Sequence, residues 1–526
     1  MGTTMNNARD LSGKDHGIQS AQAKYVGRPS IADGLYLLVL VAAAVMRFSG
    51  LDLIPLSPLE SEAALSAWQF LQTGPIEIIT GSPAYATLTS LLMLFFGDSD
   101  VTARVVPALF GLGLVMLPWF LRNRLGEIGM LVTATLLAAS PLLAATSRTA
   151  GGDSIALFAI ALLFVSALRL QDETDNNWLY ILSGAVGLGL ASSPLFYSGL
   201  FTLIFAKLAQ QLVSPEGDKR FQINRSLMVK AIAIGVLSLL ALSTRFFTHL
   251  SGFGSAAQIL GDWLNQFTVQ GDLQTLLAPF LVLGRYEVIL LPLGTVALIW
   301  AIWRNHPFGT LCTYWLLTGL LLILLQRGVL HNVLLPTVAG YMLLGVTSTY
   351  LLRRGTSYWT WVMTSVIILT GAIVLVNTAR FLRVSLVEQQ VANLWISLMA
   401  IAAAVLVIYY FWAEQQKSIL QGLWLGILTL SLLYQWGTAW NLTHGAANDP
   451  REDWVVEATD TDVFWLTNTL KDISRSANNS DYDIPVFSAV DTPVLRWYLR
   501  DFRQVEFGQT LPLGAQIAII ITSAAN

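Results

Sequence analysis

The chain has 526 residues, of which 54% are hydrophobic and 12% are charged. This balance excludes an ordinary soluble domain and is typical of a protein with many membrane-spanning segments. The formal net charge of −3 argues against a nucleic-acid partner, and the single cysteine excludes a disulfide within the chain.

The first 30 residues are polar and mixed in charge, and they lack the apolar core of a cleavable signal peptide. We therefore expect a disordered cytoplasmic tail over residues 1–30. Apolar stretches long enough to cross the hydrocarbon core of a bilayer follow up to residue 440. About thirteen spans are predicted, at 32–50, 102–121, 127–146, 153–170, 178–193, 194–212, 227–246, 287–303, 308–326, 331–352, 358–378, 393–412 and 418–438.

A further apolar stretch, 83–97, is short and follows a proline, so it is either a span or a helix along the interface. The positive-inside rule favours the interface. If 83–97 does not cross, the basic loops of the chain face the cytoplasm together with the N-terminus. We therefore expect a multi-pass membrane domain over 31–440, with loop 51–101 on the outer face and the C-terminus outside.

From residue 445 onward the composition changes to that of a soluble domain, with 12 acidic and 6 basic residues. Two runs with alternating apolar residues, 484–490 and 515–521, predict strands. Residues 462–476 predict an amphipathic helix, and Asp491-Thr492-Pro493 is typical of a helix start that would continue through Arg500. The sequence therefore predicts a small α/β domain over 445–526, outside the membrane.

Three carboxylates fall on the predicted outer face. Glu60 and Glu62 lie at the start of a helix-like segment in loop 51–101, and Asp153 follows Ser147-Arg148 in the turn before a later span. Acids beside a bilayer are costly and are typical of a functional site. The alternative for each is structural, because acids in the first turn of a helix also favour its dipole and cap its end.

Arginines on the outer face run against the positive-inside trend. Arg104 lies at the outer end of a span, Arg327 in a turn between spans, and Arg380 after the eleventh span. An anionic lipid phosphate would give each arginine a partner. Contact with ordinary lipid headgroups is the alternative for each of them. The segment Trp497–Asp501 has three open roles: it docks the C-terminal domain, lines an acceptor site, or forms an ordinary buried aromatic pair.

The order of these features resembles that of the GT-C glycosyltransferases. Within that fold it is similar to the protein mannosyltransferase and lipid A aminoarabinose transferase branch, and most similar to prokaryotic glycosyltransferase-like proteins described as flippase-activity-associated. The stretches that carry the resemblance span about residues 35–510 and lie at 59–68, 97–111, 147–153 and 497–501.

The resemblance implies an enzyme that transfers a sugar from a polyprenyl-phosphate-linked donor on the outer membrane face. It implies that Glu62 or Glu60 activates an acceptor hydroxyl and that Asp153 positions the acceptor or a divalent metal, Mg or Mn. It also implies that Arg104, Arg327 and Arg380 neutralise the departing lipid phosphate. The acceptor, whether glycan, lipid or protein, stays open. If these roles hold, the largest polar cavity opens to the outer face between Glu60 or Glu62, Arg104 and Asp153.

One position departs from the family pattern. The family has Asp-Glu-Ala in the first loop, where this chain has Ser61-Glu62-Ala63. Serine cannot replace a carboxylate base unaided. The alternative function is therefore a non-catalytic membrane subunit that keeps the fold and binds lipid or a partner protein. A transporter is disfavoured, because the sequence shows neither inverted repeats nor broken helices near the midplane.

Overall fold

The computed structural model describes residues 30–71, 81–172, 175–213, 224–248, 252–269, 271–353, 355–383, 387–510 and 517–523. The predicted N-terminal tail, 1–30, lies outside these residues except for Ser30. Most of the described chain is helical. The α-helices are α1 (Ile31–Phe48), α2 (Pro58–Gln69), α3 (Pro83–Phe96), α4 (Asp100–Met116), α5 (Arg122–Ala139), α6 (Pro141–Arg148), α7 (Asp153–Asp172), α8 (Asn177–Leu190), α9 (Pro194–Val213), α10 (Arg225–Ser243), α11 (Gly252–Asn265), α12 (Leu273–Tyr286), α13 (Pro292–Arg304), α14 (Pro307–Leu325), α15 (Leu334–Leu352), α16 (Tyr358–Arg383), α17 (Val387–Trp440), α18 (Asp462–Asn478) and α19 (Pro493–Tyr498).

Nine helical runs within the described ranges are long and apolar enough to cross a membrane. The helical stretches Leu273–Tyr286 and Val288–Arg304 also pass this test as a pair bent by 94°, which raises the number to ten. The chain is therefore a multi-pass helical membrane protein, as predicted. About thirteen spans were expected from the sequence, and part of the difference comes from two helical runs that each contain a reversal of direction.

The first of these runs comprises α4 and α5. Tyr36, near the start of α1, donates a hydrogen bond to the Val115 carbonyl at the end of α4, over 2.9 Å. Arg47, near the end of α1, donates to the Leu137 carbonyl at the end of α5, over 3.0 Å. The two helices therefore end beside opposite ends of α1. The chain turns back between them, as expected for the separate spans 102–121 and 127–146.

The second run is α17, whose helical geometry is interrupted at Gln415. Trp359, near the start of α16, packs on Phe411 with ring centroids 4.7 Å apart. Ser357, just before α16, hydrogen-bonds Ser418 over 2.8 Å. Because α17 begins only four residues after α16 ends, its first leg must run back along α16 before the chain turns. The two legs correspond to the predicted spans 393–412 and 418–438.

Helix α3 has 14 residues and packs against α2, α4 and α10. Its Ala84 N–H donates to the Ala191 carbonyl over 2.8 Å. Directly after its C-terminal end, Asp98 binds Arg500 of the C-terminal domain, with 2.9 Å between Oδ2 and Nε. Residues 83–97 thus lie at the face of the protein that carries the C-terminal domain, and their position in the outer interface stays a prediction.

Two buried charges stabilise the break between α5 and α6. Pro141 starts α6 and has no N–H, so carbonyls at the end of α5 lack helical partners. Arg47 donates to one of them, that of Leu137. On the other side of the break, Glu287 accepts a hydrogen bond of 2.6 Å from the Ser140 hydroxyl. A cation at a helix C-terminus and an anion at the next N-terminus both complement the helix dipoles.

The C-terminal domain contains a three-stranded parallel sheet with the order β2-β1-β3. Its strands are β1 (Val486–Ser488), β2 (Val505–Phe507) and β3 (Ile519–Ile521). Val486 pairs with Val505 on one side and with Ile519 on the other. The expected strands at 484–490 and 515–521 contain β1 and β3, and the expected helices contain or overlap α18 and α19. Strand β2 was not predicted, because three residues are too few to show an alternating pattern.

Candidate functional site

One cavity of about 350 Å³ lies where the loops of the membrane domain meet the segment that leads into the C-terminal domain. Its walls come from the α1–α2 connection, the start of α2, the α6–α7 turn, the α8–α9 turn and residues 442–457. Glu60, Arg104 and Asp153 all line it, as the sequence predicted, whereas Glu62 does not.

The start of α2 fixes the position of Glu60. Ser57 is the N-cap, and its hydroxyl accepts from the Glu60 N–H over 3.3 Å. The Glu60 carboxylate in turn accepts from the Ser57 N–H over 2.9 Å, and these two bonds form a capping box. A third residue, Ala150 of the α6–α7 turn, donates its N–H to Glu60 over 2.9 Å. Glu60 therefore joins two chain segments that are 90 residues apart.

Arg104 and Glu60 form a buried bidentate ion pair, with contacts of 2.8 Å from Nε and 2.7 Å from Nη2. The remaining N–H groups of the guanidinium donate to the main-chain carbonyls of Leu51, Ile54 and Pro55. All five N–H groups of Arg104 thus have partners within the protein. None is left for a lipid phosphate, so the geometry supports a structural role for Arg104 instead of the expected phosphate contact.

The same contacts decide the protonation state of Glu60. Burial favours the neutral acid, but the charge of Arg104 and the hydrogen bonds to the carboxylate outweigh burial and hold the pKa of Glu60 below its usual value. A carboxylate that accepts four hydrogen bonds and has a lowered pKa is a weak proton acceptor. The geometry therefore argues against Glu60 as the general base.

The neighbouring positions of α2 supply no base to the cavity. Ser61 is fully buried, and its hydroxyl donates to the Leu56 carbonyl over 3.5 Å. Glu62 is exposed and lies outside the cavity lining. The α2 side chains that face the cavity beside Glu60 are apolar, those of Leu59 and Ala63. The expected role of Glu62 in activating an acceptor stays a prediction that this placement does not support.

Asp153 and His331 contact each other inside the cavity, with Oδ2 of the carboxylate facing Nδ1 of the ring. Asp153 begins α7, and His331 lies in a 3₁₀ turn, Leu330–Val333, just before α15. Their side chains are 24% and 47% exposed, so a molecule in the cavity can reach both. The ring of Trp454 packs on His331 with centroids 5.3 Å apart. Unlike Glu60, this pair is open to the cavity.

Arg148 is the other arginine on the cavity wall besides Arg104. Its Nη1 donates to carbonyls at the end of α1 and its Nη2 to that of Gly50, over 3.0 Å. Its Nε has no hydrogen-bond partner among the described residues. Arg148 thus closes the C-terminus of α1 and still presents positive charge to the cavity, where an anion could bind.

The other two predicted arginines lie elsewhere. Arg327 and Arg380 are exposed, and neither lines the cavity. Their part in binding a donor phosphate stays a prediction, and their position speaks against it. Within the described part of the chain, no group of three or more His, Cys, Asp or Glu residues could hold a metal ion. The expected binding of Mg or Mn stays a prediction.

The segment between α17 and α18 covers the cavity. The Thr459 hydroxyl donates to the Leu56 carbonyl over 2.8 Å, and its N–H donates to Asn448 over 2.9 Å. Glu452 binds Arg285, with 2.9 Å between Oε2 and Nη2. The segment is thus held to the membrane domain at two points.

The C-terminal domain itself docks through the segment that the sequence analysis singled out. Trp497 Nε1 and the Tyr498 hydroxyl donate to the two carboxylate oxygens of Asp100, over 2.8 and 2.7 Å. Trp497 is fully buried. Of the three roles left open for this segment, the structure shows docking, and neither Trp497 nor Tyr498 lines the cavity.

Sequence reasoning missed two functional candidates and two structural charges. It gave neither His331 nor Arg148 a role in the site. The sequence signal that could have identified His331 is its position on the same predicted membrane face as Asp153. A search for short motifs does not detect such a pair, because the two residues are far apart in the chain. Arg47 and Glu287 fell at the edges of predicted spans, where charged residues are common and give no signal.

Comparisons with known proteins agree with this architecture. Residues 80–252 match a family described as dolichyl-phosphate-mannose-protein mannosyltransferase. A search of curated protein sequences found no match. Among solved structures, the chain is similar to ArnT from Cupriavidus metallidurans in the apo state, with 16% identity and a TM-score of 0.56. It is also similar to the same protein bound to undecaprenyl phosphate, with 16% identity and a TM-score of 0.55. Each match covers 91% of this chain and 86% of the other.

The fold is therefore that of the GT-C membrane glycosyltransferases, as the sequence resemblance implied. At 16% identity, this similarity shows the fold alone and not the reaction.

Proposed function

We propose that this protein transfers a sugar from a polyprenyl-phosphate-linked donor to an acceptor bound in the cavity described above. The observation that carries the proposal is the open Asp153–His331 pair in a cavity that also presents the charge of Arg148. The match to a mannosyltransferase family and the similarity to a structure that holds undecaprenyl phosphate support the lipid-linked donor.

In this proposal Arg148 faces the lipid phosphate and stabilises the charge that grows on it as the sugar leaves. The start of α7 lies beside it, and the glycine pair Gly151-Gly152 keeps side chains away from the helix N-terminus. Main-chain N–H groups at such an end favour anions. Arg104 and Glu60 hold the α2 wall in place without contacting the donor.

The reaction takes place on the extracytoplasmic side of the membrane in this proposal. The basis is the excess of Lys and Arg in the loops that connect the opposite ends of the helices. A donor on that side must be carried by a lipid, because soluble nucleotide sugars are cytoplasmic.

The test uses the full chain in lipid nanodiscs with a panel of polyprenyl-phosphate-linked hexoses and pentoses. Membranes from the source organism supply the acceptor. Release of polyprenyl phosphate, with label moving from lipid to acceptor, is the expected result. The Arg148→Lys variant keeps a cation but cannot reproduce the geometry of the guanidinium, so we expect weaker donor binding. Arg327→Lys is the matched control outside the cavity.

A second function is favoured by one observation. Glu60 is paired with Arg104, Glu62 lies outside the cavity lining, and the position of the family aspartate is a buried serine, Ser61. A non-catalytic subunit that binds the lipid phosphate would keep Arg148 and the cavity and would not need a base. Binding of undecaprenyl phosphate to the wild-type protein, without transfer from any donor in the panel, would select this function.

A further inference from the structure

Sugar transfer to a hydroxyl needs a group that takes the hydroxyl proton, and this cavity lacks the acid that the family uses. Glu60 is committed to Arg104, Ser57 and Ala150. Ser61 is buried away from the cavity. A proton acceptor, if the cavity has one, must therefore come from another wall.

The pair of His331 and Asp153 has the geometry of an oriented base. The carboxylate faces Nδ1 of the ring, which places the ring proton on Nδ1 and leaves the lone pair on Nε2. Asp153 is itself held by the hydroxyl of Ser193 and by its position at the start of α7. Trp454 packs on the ring at an interplanar angle of 38° and limits its rotation. The same division of roles operates in catalytic triads, where a carboxylate orients a histidine base.

We infer that His331 is the general base of the proposed transfer and that Asp153 is its positioning residue. This inference rests on the proposed function. The acceptor oxygen forms a bond to the anomeric carbon while its proton passes to Nε2 of His331. The bond between the anomeric carbon and the phosphate oxygen breaks, and its electron pair leaves with the polyprenyl phosphate. The proton on His331 then passes to solvent through the open side of the cavity.

A competing role for His331 is that of a cation that binds the phosphate. The two roles give opposite pH dependences. A base must be neutral, so the rate rises with pH through the titration of His331; a phosphate-binding cation would lose activity over the same range. Besides Asp153, the charged groups on the cavity wall are Asp262, Glu457, Arg148 and the Glu60–Arg104 pair. Helix α12, which packs against the turn that carries His331, adds Arg285.

The experiment compares wild type, His331→Gln and His331→Arg for initial rates of transfer and for binding of undecaprenyl phosphate. We expect both variants to lose about 10²–10⁴-fold in rate, because each lacks a neutral nitrogen acceptor, while binding changes less than threefold. Asp153→Asn should also lower the rate and shift the pH profile, because an amide can hold the ring in the wrong tautomer. Asp52→Asn, a change in an exposed acid outside the cavity lining, is the control and should keep the wild-type rate.

Three outcomes would overturn the inference. Retained activity in His331→Arg would show that the positive charge matters and that proton transfer does not. Wild-type rates in His331→Gln would remove the residue from the mechanism. A rate that falls as pH rises through the histidine range would exclude the base role in the wild-type protein itself. If wild type transfers no sugar at all, the proposed function fails first, and the binding measurement distinguishes that failure from misfolding.

Discussion

Glu60 and Asp153 lie on the same cavity but in opposite surroundings. Glu60 is 5% exposed, accepts four hydrogen bonds and faces a guanidinium whose N–H groups are all in use. Asp153 is 24% exposed and faces a histidine that is open to the cavity on its other side. Both are acids beside a membrane, which the sequence marks as functional. What separates them is whether any hydrogen-bonding capacity is left for a substrate.

The largest expected effect concerns the closed pair. Glu60→Gln removes the charge that Arg104 faces inside the protein, and breaking a buried ion pair in this way costs about 3–5 kcal/mol of unfolding free energy. Thermal and SDS-induced unfolding in detergent measure it. The double variant Glu60→Gln/Arg104→Met should be less destabilised than the sum of the single variants, because no unpaired charge remains. An additive double variant would show that the two residues act independently.

Ser61→Asp should destabilise the protein instead of restoring a catalytic acid. The Ser61 side chain is fully buried and donates to a carbonyl, which an ionised carboxylate cannot do. Burying such a charge without a partner should cost about 2–4 kcal/mol. Ser61→Ala is the control and should change the unfolding free energy by less than about 1 kcal/mol. Increased transfer by a stable Ser61→Asp protein would show that this position does reach the substrate.

The response to acid sharpens the comparison further. Because the pKa of Glu60 is lowered on folding, its contribution to stability is complete well above its ordinary pKa of 4.5 and is lost as the pH falls below that value. Wild-type protein should therefore lose stability between about pH 5 and pH 3 more steeply than Glu60→Gln. Unfolding midpoints measured across this range test it. Parallel curves for the two proteins would contradict the account of the pair.

The smallest expected effect is at the exposed arginines. Arg327→Ala and Arg380→Ala should each change donor affinity by less than about threefold, since neither residue lines the cavity and an exposed charge contributes little. Titration with undecaprenyl phosphate in nanodiscs measures this affinity. A tenfold loss in either variant would mean that the lipid phosphate binds outside the cavity.

Much of the fold could be predicted from the sequence, because a bilayer demands long apolar helices and their length and flanking charges are readable. The short helix α3 and the docking segment at Trp497 also carried recognisable signals. The chain reverses at the 3₁₀ turn between α4 and α5 and at the kink at Gln415. Both reversals were visible in the sequence as loops between apolar runs. Strand β2 gave no pattern, since it has only three residues.

The site was harder to predict because its chemistry depends on which partners each side chain meets. The sequence placed Glu60, Arg104 and Asp153 at one cavity, but it could not show that Arg104 would find three carbonyls of the α1–α2 connection. Nor could it show that His331, 178 residues after Asp153, would face it. Those contacts depend on the tertiary fold, in which α2 and α4 both pack on α3 and the start of α7 lies close to the turn before α15.

The most direct test compares the two acids for rate and stability in the same preparation. Transfer rates of Asp153→Asn and Glu60→Gln are measured per folded molecule, with the unfolding temperature determined on the same samples. We expect Asp153→Asn to unfold at the same temperature as wild type and to lose at least about 10²-fold in rate. The folded molecules of Glu60→Gln should transfer sugar at a rate within about tenfold of the wild-type rate. The reverse pattern, with a stable but inactive Glu60→Gln and an active Asp153→Asn, would contradict the assignment.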